Sequence, residues 1–230
     1  MMEEKIYTIP VNEAFDEYDG CPFCKLKRKL EDTERDLIMG ASMMEPDIRI
    51  KTNKLGFCKK HFGKMFEMNN RLSLALMLES HLAEVIDNTV IWKKSLLCKD
   101  NTKKASENME SLTKSCYICE KTNEKFGKMV LCAIILWQNG EEFKEKMLKQ
   151  PYFCLEHASL FLEYARAKLD KKSFAVFAEQ LSQVQSSYIT SLKDDISWFC
   201  KKFDYRYENE PWGNAKDSVE RAIKFLQSDY

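Results

Sequence analysis

The sequence predicts an all-α protein made of two homologous helical repeats followed by a C-terminal helix. Three observations point there. Among 230 residues only seven are glycine and five are proline, too few for the many tight turns of an all-β chain. Apolar residues recur at steps of three and four along much of the chain, and no stretch sustains the period-two alternation of a half-buried strand. A pattern of cysteines and histidines occurs twice in register, the mark of an internal duplication.

The duplicated pattern is a C-x-x-C followed by an F-C-x-x-H. The first copy is Cys21 and Cys24, then Phe57, Cys58 and His61; the second is Cys116 and Cys119, then Phe153, Cys154 and His157. Thirty-three residues lie between the halves of the first copy and 34 between those of the second. Cys21 and Cys116 are 95 positions apart, Cys58 and Cys154 are 96. The repeats are bounded accordingly at residues 21–105 and 106–203, with an N-terminal arm over 1–20 and a turn and closing helix over 204–230.

In chain order, residues 1–20 read as an irregular arm interrupted by Pro10. Residues 25–44 carry Leu26, Leu30, Leu37, Ala41 and Met44 on one helical face, and Pro46 disfavours helix at Glu45. Residues 47–56 must then return the chain toward Cys58. A twenty-residue helix is about 30 Å long, so ten residues bridge it only when nearly extended, at about 3.3 Å each; otherwise the helix bends near Gly40. From Lys59 almost to Cys98 the pattern is helical, with a kink at Asn69 and Asn70. Two adjacent stripes, Leu72, Ala75, Leu76, Leu82, Ala83 and Ile86 beside Leu74, Leu78 and Val85, predict a central helix buried on more than one side. Residues 99–115 are polar and read as the linker between repeats.

The second copy repeats the plan. Residues 120–138 form a helix stopped by Asn139 and Gly140, 141–149 a short return helix, and 158–169 and 173–203 one or two long helices with a break at 170–173. A turn over 204–214 precedes an amphipathic helix over 215–227 carrying Val219, Ala222, Ile223 and Leu226.

The cysteine spacing predicts metal. A C-x-x-C turn brings two thiolates to one side, and a C-x-x-H at a helix start places sulfur and imidazole on one face, because positions i and i+3 are neighbours. Helix N-termini carry partial positive charge, which favours thiolate. Pairing the halves in chain order gives one site from Cys21, Cys24, Cys58 and His61 and another from Cys116, Cys119, Cys154 and His157. Each is a closed Cys3His set of the kind that holds structural zinc, two ions per chain. An iron–sulfur cluster is the alternative cofactor, since three thiolates and an imidazole can hold one. Thioredoxin-type redox chemistry at Cys21–Pro22–Phe23–Cys24 lacks the βαβ context it needs.

Other residues read as structural. His81 is expected to be a hydrogen-bonded helix residue, and Cys98, Cys132 and Cys200 packing residues. Lys25, Lys27, Arg28, Lys29, Lys51, Lys54, Lys59, Lys60 and Lys64 crowd the first site and would gather at one end. They read as a solvated face balanced by Glu31, Asp32, Glu34 and Asp36, with a nucleic-acid contact as the functional alternative. The stretch from Phe203 to Trp212 is expected to dock the last helix onto the core, with a partner patch as the functional alternative, because aromatics and Arg make good interface anchors.

The balance of 36 basic and 36 acidic residues gives zero formal charge, which lacks the bulk signature of a polyanion-binding protein. The apolar runs at 72–78 and 129–137 fall well short of the roughly 18 residues of a membrane span, and the N-terminus has no signal-peptide core. A cytoplasmic location follows, where ordered cysteine pairs read as metal ligands rather than disulfides.

CPFC at Cys21–Cys24, GFCKKH at Gly56–His61 and FCLEH at Phe153–His157, with FDYR at Phe203–Arg206 and Pro-Trp-Gly-Asn at Pro211–Asn214, resemble a family of bacterial proteins known only as a domain of unknown function. Tyr117 stands where that pattern has proline, and both thiols of the turn remain. The resemblance implies a helical cytoplasmic protein and brings no activity. No nucleophile–base pair, glycine-rich phosphate loop or pair of catalytic carboxylates stands at a meaningful spacing, so an enzyme is disfavoured. The expected function is a zinc-stabilised interaction or regulatory module whose partner is a protein.

Overall fold

The computed structural model describes residues 6–89 and 102–228. The described residues are helical throughout, with no strand. The α-helices are α1 (Thr8–Asp16), α2 (Pro22–Met39), α3 (Pro46–Leu55), α4 (Lys59–Glu67), α5 (Arg71–Thr89), α6 (Thr102–Lys114), α7 (Tyr117–Asn139), α8 (Glu141–Leu148), α9 (Leu155–Lys168), α10 (Lys171–Lys201) and α11 (Ser218–Gln227). Short 3-10 turns occupy Ala41–Met44, Tyr205–Tyr207 and Gly213–Ala215.

Several expectations are corrected. The N-terminal arm contains α1, because Pro10 sits in its first turn, where no intrahelical N–H is lost, and Val11, Ala14 and Phe15 are buried. The first long helix ends at Met39, and Gly40 breaks it. Residues 46–55 are helix rather than extended chain, since Pro46 serves as a helix-starting residue with Asp47 beside it in the first turn. The expected break at Asn69 and Asn70 is present: Asn69 has a φ of 58°, and the Asn70 side-chain oxygen accepts from the Ser73 N–H at 3.3 Å. The polar stretch read as a linker is α6 from Thr102 on, with Ala105 its buried residue. Residues 99–101, and Cys98, lie outside the described residues.

The chain divides into two compact units. One is discontinuous, Met1–Arg28 with Phe126–Tyr230; the other is continuous, Lys29–Lys125. The chain leaves the first unit within α2 and re-enters it within α7.

The discontinuous unit has an aromatic core. Phe15, Phe23, Phe153, Phe161 and Phe177 are fully buried. Their rings pack edge-on or tilted, with centroids 4.8 Å apart for Phe23–Phe161 and 4.7 Å for Phe161–Phe177. Burying each such ring contributes about 1.5–3 kcal/mol. Asp170 caps α10 by accepting from the N–H groups of Lys172 and Ser173. Helix α11 docks through Phe225, against Tyr152 and Tyr188, and through Arg221, which pairs with Asp195 at 2.9 Å.

The aromatic stretch after α10 packs back on that helix, with Tyr207 against Trp198 and Trp212 against Phe199 at 5.7 and 5.6 Å, while its other large rings face out. Phe203 and Tyr205 are 76% and 85% exposed. The loop is also held from below, where the Lys202 ammonium donates to the carbonyls of Tyr207, Glu208 and Glu210 at 2.6–2.8 Å. Cys200 is exposed rather than packed, whereas Cys132 is buried as expected.

The continuous unit buries Ile38, Met39, Phe57, Met65, Leu74, Met77, Tyr117 and Ile118 in one cluster. Helix α5 contributes only Ser73, Leu74 and Met77 as buried residues. Leu72, Leu82 and Ile86 are exposed, so the expected helix buried on several sides is one with a single buried line. Of its two apolar stripes, only the one through Leu74 meets the core.

Gly56 ends α3 with a φ of 58°, and a Cβ there would lie 2.6 Å from His81 Nε2. His81 is fixed, because its Nδ1–H donates to the Asn53 carbonyl at 2.6 Å. It is the hydrogen-bonded structural residue its sequence context predicts. Gly56→Ala combines a left-handed backbone with this clash and will cost about 1–3 kcal/mol. The check is the denaturant midpoint, which falls at unchanged slope.

Candidate metal centres

Each half-motif stands at a helix start. Cys58 and Cys154 are the N-caps of α4 and α9, in extended backbone with φ −73° and −60°. Their carbonyls accept from Phe62 and Ala158 at 2.9 and 2.8 Å. His61 and His157 follow within the first turn. Cys21 and Cys116 immediately precede α2 and α7, their carbonyls accepting from Cys24 and Glu120 at 3.1 and 3.0 Å. Cys24 and Cys119 lie one turn on.

The structure brings all eight residues into two groups, but the pairing crosses the copies. One group is Cys21, Cys24, Cys154 and His157; the other is Cys58, His61, Cys116 and Cys119. The chain-order pairing of Cys21 and Cys24 with Cys58 and His61, and of Cys116 and Cys119 with Cys154 and His157, is therefore corrected. The reason is helical rise. Eighteen residues of α2 advance the chain about 27 Å, and ten residues of α3 recover about 15 Å at most. In the second copy α7 advances about 34 Å and α8 recovers about 12 Å. Neither return is long enough, so each C-x-x-C meets the C-x-x-H of the other copy. Each group lies wholly inside one unit: the first in the discontinuous unit, the second in the continuous one.

In the first group, Cys24 Sγ lies 3.6 Å from Cys154 Sγ, and His157 Nδ1 lies 3.7, 3.4 and 3.1 Å from the sulfurs of Cys21, Cys24 and Cys154. In the second, Cys58 and Cys119 sulfurs are 3.9 Å apart, and His61 Nδ1 lies 3.2, 3.3 and 3.5 Å from those of Cys58, Cys116 and Cys119. The cysteines are free thiols. A tetrahedral ion with Zn–S near 2.3 Å and Zn–N near 2.0–2.1 Å sets S···S edges of about 3.8 Å and S···N edges of about 3.6 Å. The S···S separations of 3.6 and 3.9 Å match those edges and the S···N separations of 3.1–3.7 Å lie within about 0.5 Å of theirs, so both groups fit a single tetrahedral ion.

Electrostatics favour a cation. Burial, then the neighbouring thiols of Cys154 and Cys24, push the Cys21 thiol well up. Hydrogen bonds from Cys21 and Cys24 hold Cys154 far below the usual thiol range, against burial. In the second group burial and the charge of Cys116 push Cys119 up. Burial also acts to raise Cys116, but its hydrogen bond with His61 prevails and holds it at about 6. Crowded thiols thus divide into thiolate and thiol, and a dication would let all three ionise.

Two supporting contacts were not legible as such in the sequence. Glu31, assigned to the solvated face, is only 4% exposed. Its Oε1 stands 3.7 Å from His61 Nε2, and its carboxylate pairs with Lys60 and Lys64 at 2.8 and 3.3 Å. Burial acts to raise Glu31, but His61 and Lys60 outweigh it and bring it to about 2. With Nδ1 toward the sulfurs, Nε2 faces a carboxylate, the usual outer partner of a metal-bound imidazole. Only the i, i+3 step from Glu31 to Glu34, which is also buried and paired with Lys125, hinted at an inward acidic face. At the first group, Ser228 Oγ lies 3.1 Å from Cys154 Sγ and donates to Glu156, which pairs with Lys27 at 2.9 Å.

The basic residues expected to gather at one site fall to different units: Lys25, Lys27 and Arg28 to one, Lys29, Lys51, Lys54, Lys59, Lys60 and Lys64 to the other. Lys25 pairs with Glu17 and Asp19, so at least four of them are matched locally by acids. Among the described residues no helix is long and apolar enough to cross a membrane.

No curated protein matches the chain, and no solved structure does. The model of a family described as "Family of unknown function (DUF6062)" matches residues 2–230, and the chain, with its two Cys3His groups, belongs to that family.

Proposed function

We propose that the chain is a zinc-stabilised helical module in which each Cys3His group holds one structural Zn²⁺, and that its role is to present helical surfaces to a protein partner. The observation that carries the metal assignment is the tetrahedral edge length of both groups. Cys21, Cys24, Cys154 and His157 would hold one ion, and Cys58, Cys116, Cys119 and His61 the other. Four protein donors close the coordination sphere and leave no place for water, as in structural sites. The thiolates of an iron–sulfur cluster are spread over several irons, whereas these sulfurs stand at the edge length of a single-ion tetrahedron, which favours zinc. The ion would tie two helix starts together in each unit. Exposed apolar residues such as Leu72 and Ile86 on α5, and Phe203 and Tyr205 after α10, support the interaction role, since large aromatic side chains make good interface anchors.

Elemental analysis of protein purified without added metal tests the assignment. Two zinc ions per chain and a colourless solution support it; a brown, sulfide-containing protein, or one with no bound metal, overturns it. A finer test uses Glu31→Gln. Losing the carboxylate opposite His61 Nε2 will weaken zinc at the second group about 10–100-fold and leave the first unchanged, read by competition with a chromophoric chelator.

A further inference from the structure

The two groups differ in access. Cys21, Cys24, Cys154 and His157 are all buried. His157 lies against the rings of Phe23 and Phe126, with centroids 6.0 and 5.1 Å away, and the Ser228 hydroxyl adjoins Cys154. In the second group His61 and Cys116 are buried, but Cys58 and Cys119 are partly exposed. These two sulfurs come from different helix starts, those of α4 and α7, and lie 3.9 Å apart.

Oxidation of a cysteine follows thiolate character and exposure, and it is reversible when a second thiol stands beside the first to resolve the sulfenic acid. Three thiolates on one dication leave a net negative charge, so metal-bound sulfur keeps its nucleophilicity. Only the second group offers such sulfur to solvent, and it offers two side by side. We propose that Cys58 and Cys119 are the oxidation site of this chain: a peroxide joins them in a disulfide and the second group releases its metal, while the first group retains its own. This rests on the metal reading above and deepens it, making one site a scaffold and the other a thiol-based sensor.

The step balances. One thiolate attacks a peroxide oxygen; the O–O bond breaks, a sulfenic acid forms and hydroxide leaves. The second thiolate attacks the sulfenic sulfur, the S–S bond forms and a second hydroxide leaves. The two sulfurs together lose two electrons, the peroxide gains them, and two protons from solvent turn both hydroxides into water. With two of its four donors removed, the ion is left with Cys116 and His61 and dissociates.

The test uses full-length C98S/C200S protein, which removes Cys98 and the exposed Cys200 and keeps both groups. Zinc content is measured first, then hydrogen peroxide is titrated in with a chromophoric chelator present, and the thiols left are alkylated and mapped by mass spectrometry. The expected result is release of one of two zinc ions, a Cys58–Cys119 cross-link, and Cys21, Cys24 and Cys154 recovered as alkylated thiols. Thiol reductant and added zinc then restore two ions per chain. Release of both ions together, release from the buried group first, a Cys116–Cys119 disulfide, or Cys58 and Cys119 still alkylatable at peroxide excess overturns the proposal. A preparation with no zinc before peroxide is added overturns the metal reading itself, a result read before the oxidation begins.

Discussion

Removing zinc under reducing conditions will abolish the cooperative unfolding transition of this chain. A structural zinc contributes about 10–16 kcal/mol of apparent binding free energy at neutral pH, whereas a domain as a whole is stable by about 5–15 kcal/mol. In the continuous unit, Lys29–Lys125, the buried cluster includes Phe57, Met65, Leu74, Met77 and Ile118, and Cys116 of the second group is itself a member of it. Without the ion, the segments that start α4 and α7 keep the Tyr117 N–H to Gly56 carbonyl bond at 3.0 Å and the Ser115 hydroxyl to Leu55 carbonyl bond at 2.6 Å, and crowded thiols remain among apolar side chains. The discontinuous unit keeps its phenylalanine core, but that core is built around Cys154 and His157. The expected product has much of its helix signal in the far-ultraviolet, a lost near-ultraviolet aromatic spectrum, and dye-binding apolar surface. Readdition of zinc restores the transition. A demonstrably metal-free protein that melts as sharply and at the same temperature as the untreated one sinks the structural-zinc reading.

How much of this was legible in the sequence can be traced to particular residues. The helical class followed from spacing, and the eight Cys and His residues followed from the doubled motif. The breaks at Gly40, at Asn69–Asn70 and at Asp170 were readable because each is a residue with its own backbone or capping chemistry. The pairing was not readable, because it depends on whether residues 46–55 are extended or helical. Pro46 carries both meanings: it stops one helix and starts the next. Likewise Pro10 looked like a helix breaker, yet it sits where a helix tolerates proline. Glu31 looked like surface charge, since a periodicity argument cannot tell a carboxylate that faces water from one that faces an imidazole. The second apolar stripe of α5 looked like core because spacing reports which residues share a face and not whether anything covers it.

Counts of zinc per chain in ligand variants test the crossed pairing. Replacing one ligand disables one group, so Cys21→Ala and His157→Ala will each leave one ion. The doubles decide. When two ligands belong to the same group, the second substitution has nothing further to remove, and effects within one network do not add. Cys21→Ala with His157→Ala will therefore still hold one ion, at the second group, as will Cys58→Ala with Cys116→Ala at the first. Cys21→Ala with His61→Ala will hold none, since it breaks both groups. Pairing in chain order reverses these results: C21A/H61A would keep one ion and C21A/H157A none. The contrast is all-or-none and does not depend on how stable each variant is, provided the surviving group's unit folds. That condition is favourable, because each group draws its four ligands from one unit. The crossing also explains why the duplication endures as a single chain. The first C-x-x-C has its partners at Cys154 and His157 and the second C-x-x-C has its own at Cys58 and His61, so neither copy can close a tetrahedron alone, and cutting the chain between Cys98 and Thr102 would divide both groups between two fragments.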